Sequence, residues 1–527
     1  MAITYYVSKS AANGWAVGVD TNSGLTTSLP FLTLEKALTV MVATDICIVN
    51  DGTYTHASTF WAFSNSNQTI KPLNDYQVTL KPAAGQGTAF LQNNGGTACT
   101  LGAFKVDASG MGANASVVYA TSAIKWGDEA LGINGPWVIN TGAANTGAAF
   151  WFGGNTQTAT GYNIRVDNGF GKGGVYAPNI TTGSVDINGL SGAITNVVTD
   201  RCGAFYAKGN TSNAGWVRVR NCSASVAASA ASTPCVLGAS NIRYIFENNY
   251  GMAISGTATT ASIVVASPVG VVQADNSICR YNSGVNSAAG HYLYLHGTDG
   301  ASANDNFQNY PICHDNDFSY TGSDALPHGF LFGSMKGGAM VNNTATGVAI
   351  PFISKLQTER SYIGCNKVVN QKNFSATLLY GKGTTGTIFF SNRITLDSIN
   401  HALCMGSFND GAGTNSAGVI FSGNMITASS TYQPNLIAAI GSATDTSTGT
   451  MIGNSYYIPA GVNTGGAPFV NGATTYAAST AIADWGAAVE TNYETRATAK
   501  IYQSKRSDIG WASGGIEGTL IAQRGRL

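Results

Sequence analysis

A chain of 527 residues with 65 glycines, only 13 prolines and 10% charged residues falls outside the collagen-like, proline-rich and ion-pair-laced helical classes. Its 27 basic and 27 acidic side chains cancel, which excludes a phosphate-tracking nucleic-acid binder and a charge-expanded disordered chain. The apolar 44% comes in short runs among Asn, Thr, Ser, Ala and Gly, a composition suited to short stacked strands joined by tight turns.

The opening MAITYYVSKSAANGW has no basic stretch followed by an apolar one, and no run approaches the ~18 apolar residues of a membrane span, so neither a usual export signal nor membrane insertion is expected. Tyr5, Tyr6 and Val7 read as a first strand. In TLEKALTVMV, Leu34, Ala37, Leu38 and Met41 share one helical face behind Thr33 as N-cap. A lone amphipathic helix at this end of a repeat is expected to cap it. From about residue 160 short apolar runs such as YLYL, GFLF, TIFF and GVIF alternate with Asn turns at Asn221, Asn248, Asn282, Asn316, Asn342, Asn366, Asn392, Asn424 and Asn454. Spacings of 24 to 34 residues are those of a solenoid coil. Asn tolerates a left-handed corner, and its amide can reach the Asn of the next coil, so one residue is expected to serve both corner and ladder.

His291, His328 and His401 each follow an Asn turn and read as one coil position, and Cys279 and Cys313 each lie three residues before their coil's Asn. The nine cysteines, an odd number without a CxxC, are expected to be buried reduced thiols. Past Asn454 the rhythm stops, and TAIADWGAAVETNY reads as a further helix. The expected organisation is an N-terminal strand and helix over 1–60, an all-β parallel solenoid over 61–460, and a C-terminal cap or oligomerisation segment over 461–527.

YYVSKSAANGWAVGVDTNSGLTTSLPFLTLEKAL followed by DICIVNDGTYT resembles the N-terminal signature of right-handed parallel β-helix proteins of the pectate-lyase-like superfamily. The match is detailed for about 55 residues and pattern-level beyond them. Together with the missing export signal it makes the chain most similar to a bacteriophage tailspike. That resemblance implies a homotrimer on the virion, released by host lysis, partnered by other virion proteins and by a bacterial surface polysaccharide, with no cofactor. Two readings follow: a polysaccharide depolymerase, or a non-catalytic structural, decoration or receptor-binding virion protein.

Cleaving a glycan calls for paired carboxylates in a hydrolase, or for a base in a lyase. Asp299, Asp305, Asp315, Asp317 and Asp324 fall within 26 positions, bracketed by His291, His296, His314 and His328. Asp317, Asp324 and Glu359 are the candidate acid and base, with His328 positioning them and Tyr292, Tyr294, Tyr310 and Tyr320 as ring platforms. The bland alternatives are that Asp315 and Asp317 cap a corner or form half a Ca²⁺ site. Lys355 and Lys382 are 27 residues apart and expected to stack on neighbouring coils; with Arg360 they are the basic candidates for a lyase or for substrate binding. Phe60, Trp61, Phe63, Trp151 and Phe152 are candidate sugar platforms or contacts between subunits.

Overall fold

The computed structural model describes the chain apart from residues 57–60, 64, 84–88, 94, 113, 200, 210–214, 229–233, 259, 268–275, 290–291, 298–307, 370–376, 397–402, 412, 429–435, 458–468, 473, 477–489, 492, 497–500 and 505–527. It is an all-β parallel solenoid with very little helix. Two compact units are present: Met1–His296 with Phe318–Asp324, and Gly297–Asp317 with Ala325–Leu527.

Each coil of the first unit lays down three strands, illustrated by Trp216–Arg220, Ser225–Ala228 and Cys235–Ser240, before the chain returns one rung further on with Arg243–Glu247, Met252–Gly256 and Ser262–Ser267. Equivalent strands pair in parallel, Val217 opposite Tyr244 and Val219 opposite Phe246, so side chains of like position stack in columns. Residues alternate about the sheet. Val185, Ile187, Val217, Val219, Tyr244 and Phe246 point inward and are fully buried, while Asp186, Asn188, Arg218, Arg220 and Glu247 occupy the outward positions between or beside them. Burying each large apolar side chain contributes about 1.5–3 kcal/mol, and repeating the column coil after coil makes the core.

Pairing begins ahead of residue 61: Thr4–Val7 already lies parallel to Ile46–Val49, which in turn pairs with Thr69–Pro72. The helix is Leu34–Val40; Thr33 accepts a hydrogen bond from the Lys36 N–H, and Leu34, Ala37, Leu38 and Met41 are buried as their spacing predicts. The third-strand sheet contributes nine parallel strands to the first unit, from Trp61–Phe63 to Tyr292–His296. It contributes six to the second, from His328–Gly333 to Phe469–Asn471. Beyond that point antiparallel pairs enter, in Phe469–Asn471 with Thr474–Tyr476 and in Tyr493–Arg496 with Ile501–Ser504, while Glu490–Thr491 still pairs in parallel with Gly449–Ile452. Of the expected C-terminal helix, 480–489 lie outside the described residues, whereas Glu490–Thr491 is strand.

The Asn turns divide their work between two neighbouring residues. The left-handed corner is taken by the residue before the ladder amide: Asn248 (φ 54°), Tyr281, Asp315, Asn342, Cys365 and Ser391. The ladder itself runs through the next residue. In the first unit Asn249 donates its backbone N–H and its amide to Asn282 Oδ1. In the second unit Asn316, Asn343, Asn366, Asn392, Asn424 and Asn454 repeat the pattern; Asn392 sends its N–H (3.0 Å) and amide (2.9 Å) to Asn424 Oδ1 and a further amide hydrogen to the Ile363 carbonyl (2.9 Å). Asn248 and Asn342 are therefore corner residues, and their neighbours Asn249 and Asn343 carry the ladder. The cysteine spacing has a direct cause: the amides of Asn282 and Asn316 each donate to the sulfur three residues earlier, Cys279 and Cys313. The described cysteines are free thiols, all buried but Cys365, and burial pushes the Cys47, Cys222 and Cys404 thiols well up.

Candidate functional site

In most coils of the first unit the corner between the first and second strands takes a few residues. After Ile124–Trp126 it is longer, running to Trp137 and carrying a single helical turn, Glu129–Leu131. Gly127 allows the departure: its backbone has φ +82°, and a Cβ there would stand 2.6 Å from the Gly135 nitrogen. Asp128 caps the turn through the Ala130 N–H (3.1 Å) and takes the Lys125 ammonium at 2.7 Å. The long corner thus forms one wall of a cleft of about 340 Å³ over the outer face of the neighbouring strands, lined by Lys125, Asp128, Glu129, Thr160, Tyr162, Asp186 and Arg220 among others.

Strand register supplies the floor. Lys125, Thr160, Asp186 and Arg218 form one outward column, and Tyr162, Asn188, Arg220, Glu247 and Arg280 the next. Arg220 joins two carboxylates. Its Nη2 lies 2.7 Å from Glu129 Oε2, and its Nε faces Asp186 Oδ1 at 3.7 Å, a distance too long for a hydrogen bond. Those two facing atoms are buried and have no hydrogen-bond partner among the described residues. Glu129, about half exposed, also accepts the Asn188 amide at 2.7 Å. Burial raises the Asp186 carboxyl above the ordinary carboxylate range; Arg220 and Arg218 oppose the shift and Glu129 adds to it. One carboxyl that favours its proton beside another held by a guanidinium is the pairing that acid–base catalysis uses.

On the next rungs Glu247 is buried between two arginines: Arg218 approaches through Nε (2.7 Å) and Nη2, Arg280 through Nε (3.0 Å) and Nη2 (2.7 Å). Burial by itself would raise this carboxyl, but the hydrogen bonds and charges of Arg280 and Arg218 outweigh it and hold it below its ordinary value. Trp216, 36% exposed, sits at the head of its strand between Ser184 and Arg243.

The residues singled out from sequence are placed elsewhere. Tyr292, Tyr294 and Tyr320 are buried and offer no ring face to solvent: the Tyr320 hydroxyl donates to the Ala288 carbonyl (3.1 Å), and those of Tyr294 and Tyr244 meet at 2.8 Å. As sugar platforms they are corrected to core residues: YLYL is a strand buried on both faces, and Tyr320 takes an inward position of the alternating strand Asp317–Tyr320. Tyr310 is exposed. Asp324 is half-buried in the first unit, its N–H donating to the Tyr320 hydroxyl. In the second unit Asp317 is exposed at the start of its strand, His328 opens the strand that pairs with Ile350, and Glu359 takes Lys336 at 3.3 Å. Asp315 holds the left-handed corner, accepting from the Asn342 amide (2.7 Å) and lying 2.6 Å from His314 Nδ1.

Lys355 and Lys382 are register partners on adjacent strands, as their spacing predicts, and burial, then the Lys382 charge, lowers Lys355 to about 8. Arg360 is exposed in a left-handed conformation. Asp299, Asp305, His291, His401 and Phe60 lie outside the described residues. Trp61, Phe63 and Phe152 are core residues. Trp151 is half-buried in an outward column of stacked rings with Tyr119, Tyr176 and Tyr206. Among the described residues no group of three His, Cys, Asp or Glu side chains is placed to hold a metal ion, and no helix is long and apolar enough to cross a membrane.

No protein-family model matches this sequence, and no curated protein does. Solved structures with a similar course include a PL6 alginate lyase in complex with a trisaccharide (8% identity, 90% of this chain and 89% of that one, TM-score 0.35). A GH136 lacto-N-biosidase from Eubacterium ramulus matches at 10% identity over 86% of this chain and 68% of the other, TM-score 0.29. The Dettilon tailspike protein matches at 10% over 89% and 68%, TM-score 0.28. At such values the functional reading rests on this chain's own residues.

Proposed function

We propose that the first unit binds a bacterial surface polysaccharide across its outer face and cleaves it in the cleft between the long corner and the strands bearing Asp186 and Arg220. The observation that carries this is the sharing of one guanidinium by Asp186 and Glu129 in a cleft walled by Tyr162. Its volume falls in the range of small-ligand sites. Asp186 in its neutral form gives its proton to the glycosidic oxygen as the bond to the anomeric carbon breaks. Glu129 takes a proton from the water that attacks that carbon, and Arg220, between the two, steadies the negative charge that passes from Glu129 to Asp186. Tyr162 supplies a ring for a sugar face.

The tailspike-like setting, a homotrimer carried on a virion with other virion proteins as partners, is supported by the resemblance of the first 55 or so residues. Sedimentation equilibrium giving three times the 54.4 kDa chain mass supports it; a monomer contradicts it. The non-catalytic reading is favoured by a specific observation, that Glu129 and Asp128 are each tied to a cation. Incubation with capsular, O-antigen and exopolysaccharides decides between the two. New reducing ends without unsaturated-uronate absorbance, lost in Asp186→Asn, are the expected result. Binding without any cleavage makes the protein a receptor-binding module.

A further inference from the structure

Charge is distributed unevenly along the outer face on either side of the cleft. On the side of increasing residue number, the first strands Trp216–Arg220, Arg243–Glu247 and Ile278–Arg280 carry Arg218, Arg220, Arg243 and Arg280 against one carboxylate, Glu247. With Arg220 assigned to Asp186 and Glu129, three guanidinium groups remain for one carboxylate, Glu247, which only Arg218 and Arg280 engage. On the other side, Thr69–Pro72 and Cys99–Leu101 offer Thr69 and a single cation, Lys71, with Thr100 buried. In a chain of zero net charge with only 10% charged residues, such a concentration on three consecutive rungs is a feature of this face.

Two of these arginines are fixed rather than free. Glu247 fastens Arg218 and Arg280 from opposite sides, and Arg280 also lies over the Tyr281 ring at 5.7 Å, so their charges are held in place without side-chain freedom to lose on binding. The third, Arg243, is exposed and makes no ion pair or hydrogen bond among the described residues. Its Cα pairs with that of Trp216, whose Cα pairs with Ser184, two residues from Asp186 along the same strand. At ~4.8 Å per rung, Arg243 stands roughly 10 Å from the level of Asp186, the reach of about two sugar units. An exposed ring with an unpaired guanidinium one rung beyond it suits a pyranose that bears a negative group.

We infer that the glycan is anionic, and that a charged sugar, bearing carboxylate, sulfate or phosphate, is seated on Trp216 and Arg243 to one side of the cleft, while the opposite side, poor in cations, takes uncharged sugars near Thr69. This rests on the glycan-binding reading of the cleft and narrows it. Electrophoresis through gels containing a polyuronate, a sulfated galactan, a teichoic acid or a neutral dextran, with cleavage followed on the same set, tests it and separates the three anionic groups. The expected result is retardation by at least one acidic polymer, abolished by about 0.5 M salt and weakened about tenfold in Arg243→Gln, with the Asp186→Asn variant still bound. Retardation by dextran alone, or retardation by an acidic polymer that salt and Arg243→Gln leave unchanged, overturns the anionic inference while leaving the cleft reading intact. Retardation by none of the polymers, nor by polysaccharide of a susceptible host, overturns both.

Discussion

The two units use the same coil for different ends, and the difference lies in where each puts its polar side chains. In the second unit, Asn316, Asn343, Asn366, Asn392, Asn424 and Asn454 turn their amides into the wall at the corner, where each is buried and bonded to a neighbouring coil. In the first unit, the positions around Asp186, Arg218, Arg220 and Glu247 turn outward and bond across the surface to residues as far as 91 positions away in sequence. Inward polar groups gain register and stability because nothing else can satisfy them. Outward ones stay within reach of a ligand, and where a long corner walls them in, they become a site.

The largest expected effect that bears on this contrast is catalytic. Asp186→Asn should lower glycan cleavage by about a thousandfold, the scale of losing a general acid, without unfolding the chain. The folded state holds the Asp186 proton at pH values where the unfolded chain has lost it, so stability falls as pH rises through the window just above 3.8; the amide removes that slope, visible in melting curves across pH. Next comes Asn392→Ala, which strips four side-chain hydrogen bonds, two accepted from Asn366 and two donated to Asn424 Oδ1 and the Ile363 carbonyl. A loss of about 2–4 kcal/mol in chemical denaturation is expected, with cleavage at the first unit's cleft little changed. Equal loss of cleavage in both variants would erase the contrast.

Smaller still is the acid sensitivity of Glu247. Its folded carboxyl lies below the 4.5 of an ordinary glutamate, so its contribution is full above that value and is lost as pH falls through the folded one. Glu247→Gln should therefore flatten the acid limb of the melting curve. The smallest effect concerns Lys355. Between about 8 and 10.5 the unfolded chain holds a proton that the folded chain has released, so stability rises with pH across that window; Lys355→Met should remove the rise and stabilise the protein at neutral pH.

Much of the solenoid was legible because Asn, Cys and apolar residues recur with the coil. The helix behind Thr33, the Lys355–Lys382 register pair and the cysteines three residues before Asn282 and Asn316 all followed from spacing. The ladder lies one residue beyond Asn221, Asn248 and Asn342: in an Asn–Asn pair composition does not say which member bends the chain and which bonds, and after Asn221 the ladder position is Cys222, whose N–H donates to Asn249 Oδ1. Aromatic residues near acids suggest sugar contact, yet Tyr292 and Tyr294 belong to a run, YLYL, that packs on both faces of its strand, and Tyr320 falls on the inward face of an alternating one. The cleft escaped because a linear cluster is the wrong measure in a solenoid. Asn188 and Glu129 are 59 residues apart, and Arg220 lies three rungs beyond the strand that precedes the long corner. The available signal was IKWGDEALGING, a charged interruption of the short-corner rhythm, read together with VRVR several coils later.

Hydrogen exchange with and without a bound host oligosaccharide, using the Asp186→Asn variant to prevent turnover, tests the central claim most directly. Protection should concentrate in 124–135, 184–190 and 216–220, and reach 243–247. Protection confined to the second unit, around Asp317, Glu359 and the Lys355–Lys382 pair, would contradict the account and move the binding site there.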